Sequence, residues 1–145
     1  MLFKNILVPF DGSKCALHAF KIALDLAKNY DSKLTVVSCI TKSQYSGRWF
    51  VDYGIREELT KNQMKEVTKS FSKLKSLSLK KGVDIKTEVL NNYSVVKKLA
   101  SFAKSNKVDL IVMGTQGKTG WNKLILGSVA NGVSRLVSCP VLVVR

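Results

Sequence analysis

Five short apolar segments alternate along the chain with longer segments in which apolar residues recur at helical spacing. The apolar segments are rich in β-branched residues and have the length of strands that are buried in a sheet. They lie at residues 6–8, 34–40, 83–90, 108–113 and 141–144. The amphipathic segments between them predict helices that begin near residues 13, 55, 94 and 127. The pattern therefore predicts five strands that alternate with four helices.

This alternation predicts a parallel sheet with right-handed crossovers and helices on both faces. The predicted fold class is α/β, a three-layer, doubly wound, five-stranded parallel sheet with strand order 3-2-1-4-5. The direction of winding reverses between strands 1 and 4, and ligands of such sheets bind outside the carboxyl ends of the strands at that reversal. The residues at these two ends are Pro9-Phe10-Asp11 and Gly114-Thr115. Topology thus predicts a ligand crevice between them.

A loop rich in glycine joins the fourth strand to the last helix. Gly114 ends the strand, Gly127 precedes the helix, and Ser128 supplies a hydroxyl at the helix start. Glycines at such positions let backbone N–H groups approach an anion, and the helix dipole adds about half a positive charge. The loop is a candidate phosphate-binding site. The alternative, in which the glycines only end a strand and a loop, remains open on this pattern alone.

Two common nucleotide-binding motifs are excluded at this loop. Gly117-Lys118-Thr119 is similar to the end of a P-loop, but that motif requires a glycine where Val112 stands and a helix where Gly120 stands. No GxGxxG sequence occurs in the chain, so dinucleotide binding of the Rossmann type has no support from a motif.

Length and composition indicate one folded domain, because the chain has 145 residues of which 46% are hydrophobic. No apolar run approaches the roughly 18 residues that a membrane span requires, and no signal peptide is recognisable. We therefore expect a cytoplasmic protein without a membrane partner. Cys15, Cys39 and Cys139 form no CxxC pair and are expected to be free thiols.

The charge is strongly basic, with 24 basic and 10 acidic residues and a net charge of +14. Such a charge attracts polyanions, but it also keeps a protein soluble. Lys61, Lys65, Lys69 and Lys73 recur every four residues along the second helix, which favours a solvated face over a nucleic-acid surface. No nucleic-acid-binding module is recognisable, so nucleic acid is not the expected partner.

The glycine loop and both ends of the chain resemble a known family. The spacing Gly114-x2-Gly117-x9-Gly127-Ser128 is similar to the nucleotide-binding pattern of the universal stress protein family. Ile6 to Ser13 and Cys139 to Arg145 resemble the first and last strands of that family. Only residues 41–60 lie outside the resemblance.

The resemblance implies one universal stress protein domain over residues 1–145, with a Rossmann-like fold of the adenine nucleotide alpha hydrolase type. Residues 41–56 are expected to form a mobile loop. In that loop Tyr45, Arg48 or Trp49 is predicted to close over a base, and the alternative is a surface or dimer-contact loop.

The resemblance also implies a ligand, ATP or the related AMP or ADP. It is compatible with a Mg²⁺ ion bound through the phosphates of that ligand. Adenine is expected near Pro9 and the main chain of Cys39, and the ribose near Asp11 and Gly114. Asp11 also suits a turn, since aspartate readily accepts local N–H bonds. The other expected cofactor-binding residues are Phe10, Met113, Thr115, Gly117, Lys118, Thr119, Gly120, Gly127, Ser128, Val129 and Ala130.

Two positions depart from the family pattern. Ala130 stands where the family often has a hydroxyl residue, so one side-chain hydrogen bond, worth about 0.5–1.5 kcal/mol, is missing while the backbone donor remains. Trp121 stands where an aliphatic residue is usual, and nothing in the sequence explains it.

The function that the resemblance implies is that of a regulatory stress-response protein, a dimeric nucleotide sensor with an unidentified protein partner. A weak ATP hydrolase and a polyanion-binding module are the alternatives. No catalytic residue is predicted, because no general base with a partner is recognisable beside the loop. Val141, Leu142, Val143 and Val144 form the last strand, at an edge of the sheet. This strand is expected to pair with a second copy, as in the family's dimers.

Overall fold

The computed structural model describes residues 2–41, 53–92, 94–116 and 126–145. In these ranges the strands are β1 Asn5–Pro9, β2 Lys33–Thr41, β3 Ile85–Asn92, β4 Leu110–Gly114 and β5 Val141–Val144. The helices are α1 Lys14–Tyr30, α2 Tyr53–Lys80, α3 Val95–Ser105 and α4 Ser128–Leu136. Strands and helices alternate along the chain as the apolar pattern predicts.

All strand pairs are parallel, and the order in the sheet is β3-β2-β1-β4-β5. The predicted fold class and strand order are thereby confirmed. The central strand β1 pairs Leu7 with Thr35 of β2 on one side and with Ile111 of β4 on the other. The chain winds outward in opposite directions from β1 and β4, and ligands of such sheets bind at the carboxyl ends of the strands where the winding reverses.

The sheet is covered on both faces because successive side chains of a strand point to opposite sides. Ile6 and Val8 belong to one core cluster, together with Phe20 of α1 and Leu74 of α2. Leu7, between them, belongs to a second cluster with residues of α3 and α4. β1 is therefore buried on both faces, which explains its continuous apolar sequence.

The boundary between α2 and β3 differs by two residues from the prediction, which started the strand at Val83. Gly82 adopts φ 74°, its N–H donates to Leu79 O at 3.0 Å, and Val83 N donates to Ser78 O at 3.0 Å. These bonds make Gly82 the predicted helix-ending glycine and place Val83 in the same turn. Val83 is buried but belongs to the helix end, so the strand begins at Ile85.

Among the described residues, no helix is long and apolar enough to span a membrane.

Candidate functional site

The end of β1 is held against β2 and turns directly into α1. Phe10 N donates to Val37 O at 2.8 Å, and Ser38 Oγ donates to Phe10 O at 2.7 Å. Ser13 N then donates to Asp11 Oδ1 at 2.9 Å, while Ser13 Oγ accepts a bond from Ala16 N as the N-cap of α1. Asp11 thus has the local turn role that its residue type suggests, and it remains exposed to solvent.

The end of β4 approaches two other segments so closely that only glycine fits. A Cβ atom at Gly114 would lie 2.7 Å from Cys15 Cβ in the first turn of α1. A Cβ atom at Gly127 would lie 2.6 Å from Thr115 O, the oxygen that accepts a hydrogen bond from Gly127 N. Both glycines of the motif are therefore required by the backbone packing at the crevice.

The start of α4 presents backbone N–H groups toward this loop. The first intrahelical bond runs from Asn131 N to Gly127 O at 3.0 Å, so the N–H groups of Ser128, Val129 and Ala130 make no bond within the helix. Gly127 is the N-cap residue and has no side chain with which to cap them. Such a helix start attracts an anion through its N–H groups and its dipole.

Two side-chain contacts join the start of α1 to the segment that follows β4. Ser13 Oγ donates to Gln116 O at 3.4 Å, and Thr115 Oγ1 lies 4.0 Å from Cys15 Sγ. The ends of β1 and β4 and the starts of α1 and α4 therefore meet at one edge of the sheet, as the topology predicts.

A cavity of about 440 Å³ opens beside this meeting point, between the ends of β1 and β2 and the helix α2. Its lining comes from three segments, the turn after β1, the end of β2 and one face of α2. The lining residues are Phe10, Asp11, Gly12, Ser38, Cys39, Ile40, Gln63, Glu66, Val67, Lys69, Ser70 and Lys73.

The expected cofactor-binding residues divide into three groups in the structure. Phe10, Asp11 and Cys39 line the cavity, and Pro9 ends β1 next to them. On the β4 side, the contacts already described bring Gly114, Thr115 and Gly127 together with the first turn of α4. Gly117, Lys118, Thr119 and Gly120 lie outside the described residues, as do Trp121 and the loop residues Tyr45, Arg48 and Trp49.

Met113 and Ala130 have buried side chains that belong to the core cluster beneath α3 and α4. Their side chains are 4% and 1% exposed, respectively, so neither is available to a ligand in the crevice. Any contact from these two positions would use main-chain atoms.

The sequence did not predict that α2 forms one wall of the cavity. Gln63, Glu66, Val67, Ser70 and Lys73 recur at helical spacing and therefore share one face, which the cavity lining shows to be directed toward β1 and β2. Val67 is partly buried and packs against the core cluster that includes Phe71 and Leu74. Polar residues, Gln63, Glu66, Ser70 and Lys73, flank the apolar residues Val67, Phe71 and Leu74 on α2. This pattern is the signal in the sequence that identifies the wall.

Burial controls the ionisation of the thiol that lines the cavity. It raises the pKa of Cys39 to about 11, although the positive charge of Lys98 opposes part of this shift. The Cys39 thiol is therefore neutral at physiological pH and is a poor nucleophile.

The one histidine of the sequence contacts the end of the chain. His18 Nδ1 lies 2.6 Å from Arg145 O, so the ring is engaged at the chain end. The described part of the chain contains no group of three histidine, cysteine, aspartate or glutamate residues that could hold a metal ion.

Comparison with known proteins gives a consistent result over nearly the whole chain. The family model described as "Universal stress protein family" matches residues 2–145. A universal stress protein of Methanocaldococcus jannaschii is 38% identical over 149 residues, which cover 99% of this chain and 83% of that protein. The universal stress protein YxiE of Bacillus subtilis is 32% identical, with 99% of this chain and 100% of that protein covered.

Solved structures share the fold at lower identity. The universal stress protein UspA from Lactobacillus plantarum has a TM-score of 0.88 at 23% identity and covers 100% of this chain and 99% of its own. A universal stress protein in complex with cAMP has a TM-score of 0.75 at 22% identity, covering 100% and 99% of the two chains. The protein from Archaeoglobus fulgidus in complex with dAMP has a TM-score of 0.71 at 20% identity and covers 100% of both chains.

Proposed function

Since the chain belongs to the universal stress protein family, we propose that it binds an adenine nucleotide in the crevice at the carboxyl ends of β1, β2 and β4. Two structural neighbours were solved with the adenine nucleotides cAMP and dAMP. Both share the fold of this chain, which supports a ligand of the same class here.

The observation that carries the proposal is the start of α4. Gly127 lies against Thr115 O, and the three N–H groups that follow it make no intrahelical bond. A phosphate group would accept hydrogen bonds from these donors and would be stabilised by the helix dipole, by about 0.3–1 kcal/mol for the dipole alone. We propose that Gly117, Lys118, Thr119 and Gly120 complete this phosphate site.

The base and the ribose would occupy the side of the crevice nearer β2. One carboxylate oxygen of Asp11 accepts the Ser13 N–H, and a ribose hydroxyl would donate to the other. Adenine would lie near Pro9 and Phe10 and contact the main chain of Cys39, next to the 440 Å³ cavity. That volume is within the range of about 300–1,000 Å³ that is typical of small-molecule sites.

We further propose that nucleotide binding serves regulation in the cytoplasm. The protein would be a dimer that pairs through β5. It would bind ATP, ADP or AMP, with Mg²⁺ held by the phosphates. Nucleotide binding would change its contacts with a partner protein. The feature that supports a dimer is the position of β5 at the edge of the sheet, where Leu142 is 39% exposed.

Calorimetric titration with ATP, ADP and AMP tests the proposal, with Gly127→Ala as the decisive variant. The added Cβ would lie 2.6 Å from a backbone oxygen, so the start of α4 must move away from the loop. We expect affinity to fall by roughly tenfold or more, the equivalent of about one charge-assisted hydrogen bond.

Gly82→Ala is the matched control. Gly82 has φ 74° and no atom within 4 Å of its added Cβ, so the substitution strains the backbone by about 1 kcal/mol at the far end of α2. It should lower the melting temperature without changing nucleotide affinity. Unchanged affinity in a folded Gly127→Ala variant, or no nucleotide binding by the parent protein, would show that the proposed site is wrong.

A further inference from the structure

The cavity extends from the ends of β1 and β2 to α2. α2 has 28 residues, and Phe71, Leu74 and Ser78 in its second half are buried. Residues 60–66 are all exposed. The α2 residues that line the cavity lie where this exposed part of the helix meets the buried part, and they form the outer wall of the cavity.

This wall carries an excess of positive charge. Lys69 and Lys73 line the cavity, against one acidic residue on the same helix face, Glu66. The ion pairs found in the described part of the chain are Lys81 with Asp25 and Lys86 with Glu88. Neither lysine of the wall has a carboxylate partner among those residues.

The spacing of the two lysines suits a single anion. Residues four apart on a helix are separated by about 6 Å along its axis and lie on the same face, so two flexible lysine side chains can reach one group. Without an anion, the two like charges repel each other and weaken the helix slightly. A bound phosphate would remove this repulsion and accept hydrogen bonds from both ammonium groups.

The 5′-phosphates of a mononucleotide are not the group that these lysines would bind. If the proposed function is correct, those phosphates lie at the start of α4, on the β4 side of the crevice. In that placement the base and ribose would lie beside Phe10, Asp11 and Cys39, which line the cavity. Asp11 repels a phosphate at the end of β1, whereas Lys69 and Lys73 would attract one toward the α2 wall.

We propose that Lys69 and Lys73 form a second phosphate subsite, and that the site takes an adenine nucleotide with two phosphate groups separated by a nucleoside, as in a dinucleotide. This inference rests on the proposed function, because it places the first phosphate at α4. It extends that function by naming the class of ligand and the two residues that select it.

The lysine stripe of α2 provides a matched control for the test. Lys61 and Lys65 continue the same stripe and are exposed, but they do not line the cavity. Two double variants therefore lose the same charge from the same helix. The Lys69/Lys73 variant carries Lys69→Gln with Lys73→Gln, and the Lys61/Lys65 variant carries Lys61→Gln with Lys65→Gln. All four side chains are exposed, so both variants should fold, which thermal melts would verify.

The ligands are AMP and the 5′-phosphorylated adenylate dinucleotide pApA, titrated by calorimetry into the full chain and both variants. We expect pApA to bind the parent protein roughly tenfold more tightly than AMP, since a phosphate held by two ammonium groups contributes about one charge-assisted interaction. The Lys69/Lys73 variant should lose this advantage and keep its AMP affinity within about twofold. The Lys61/Lys65 variant should keep the advantage.

Three results would overturn the subsite while leaving the proposed function intact. They are equal affinity of the parent protein for AMP and pApA, equal losses in the two double variants, and a loss of AMP affinity in the Lys69/Lys73 variant as large as the loss for pApA. If the parent protein binds neither AMP nor ATP, the proposed function is rejected, and the subsite with it.

Discussion

At the scale of single residues, Cys39 shows how one position can have separate structural and functional roles. Its main chain lies at the end of β2, where we propose that adenine binds, and its thiol lines the cavity. Burial raises the pKa of this thiol to about 11 from 9.0, with Lys98 opposing the shift. The side chain is therefore a neutral packing group, and its identity has little effect on a main-chain contact.

The raised pKa predicts a dependence of stability on pH. Between about pH 9 and 11 the folded state keeps the thiol proton and the unfolded state loses it, so the free energy of unfolding should fall as pH rises. Relative to Cys39→Ala, which lacks the thiol, the parent protein should lose on the order of 2 kcal/mol across this range. Urea unfolding of both proteins at pH 7.5, 9 and 10.5 measures the effect. A constant difference between them would contradict it.

At the scale of elements, the helices differ in how they begin. Ser13 caps α1 by accepting from Ala16 N at 3.1 Å, and Ser94 caps α3 by accepting from Lys97 N at 3.4 Å. α4 follows Gly127, which has no capping side chain. Among the starts of α1, α3 and α4, only that of α4 lacks a side-chain cap, and a ligand phosphate would take the place of a cap there.

The two serine caps yield a matched pair of variants. Ser13→Ala should cost about 1–2 kcal/mol of unfolding free energy, because it loses the cap and the bond to Gln116 O, whereas Ser94→Ala should cost about 0.5–1 kcal/mol. Only Ser13→Ala should also weaken nucleotide binding, since only Ser13 is connected to the segment after β4. Chemical unfolding and calorimetry test both points. Equal nucleotide affinity in the two variants would refute the link between α1 and the crevice.

At the scale of the whole molecule, the sheet has two edges with different protection. β3 forms one edge and pairs with β2 over eight residues, from Leu34 with Ile85 to Thr41 with Asn92. β5 forms the other edge and is short and uncharged, with Leu142 exposed and Val144 buried. An apolar edge strand of this kind is prone to pair with another chain.

Light scattering after size-exclusion chromatography tests the proposed dimer, with Leu142→Glu as the variant. Placing a negative charge on each copy of β5 should convert the dimer to a monomer, because like charges would meet across an antiparallel pair of the same strand. Leu79→Glu is the control, since Leu79 is 67% exposed on α2, which packs against β2 and β3 away from β5. A monomeric parent protein, or a Leu142→Glu variant that remains dimeric, would reject pairing through β5.

The sequence by itself determined the elements, their order along the chain and the strand order of the sheet. Hydrophobic periodicity reports which face of each element is buried, and Gly82 and Asp11 carry out the local turn roles that their residue types predict. Gly114 and Gly127 were recognisable because close backbone approach at these positions excludes a side chain, a constraint that leaves a direct trace in the sequence.

Only the tertiary structure decided which distant surfaces meet. Asp109 accepts hydrogen bonds from Lys4 N and Asn5 N across more than 100 residues of sequence. Lys69 and Lys73 are exposed, as the sequence pattern predicts, but the structure also places them on the wall of a cavity. The structure also buries the side chains of Met113 and Ala130 in the core. A periodic pattern separates buried from exposed positions, but the partner of each surface depends on packing between segments far apart in the chain.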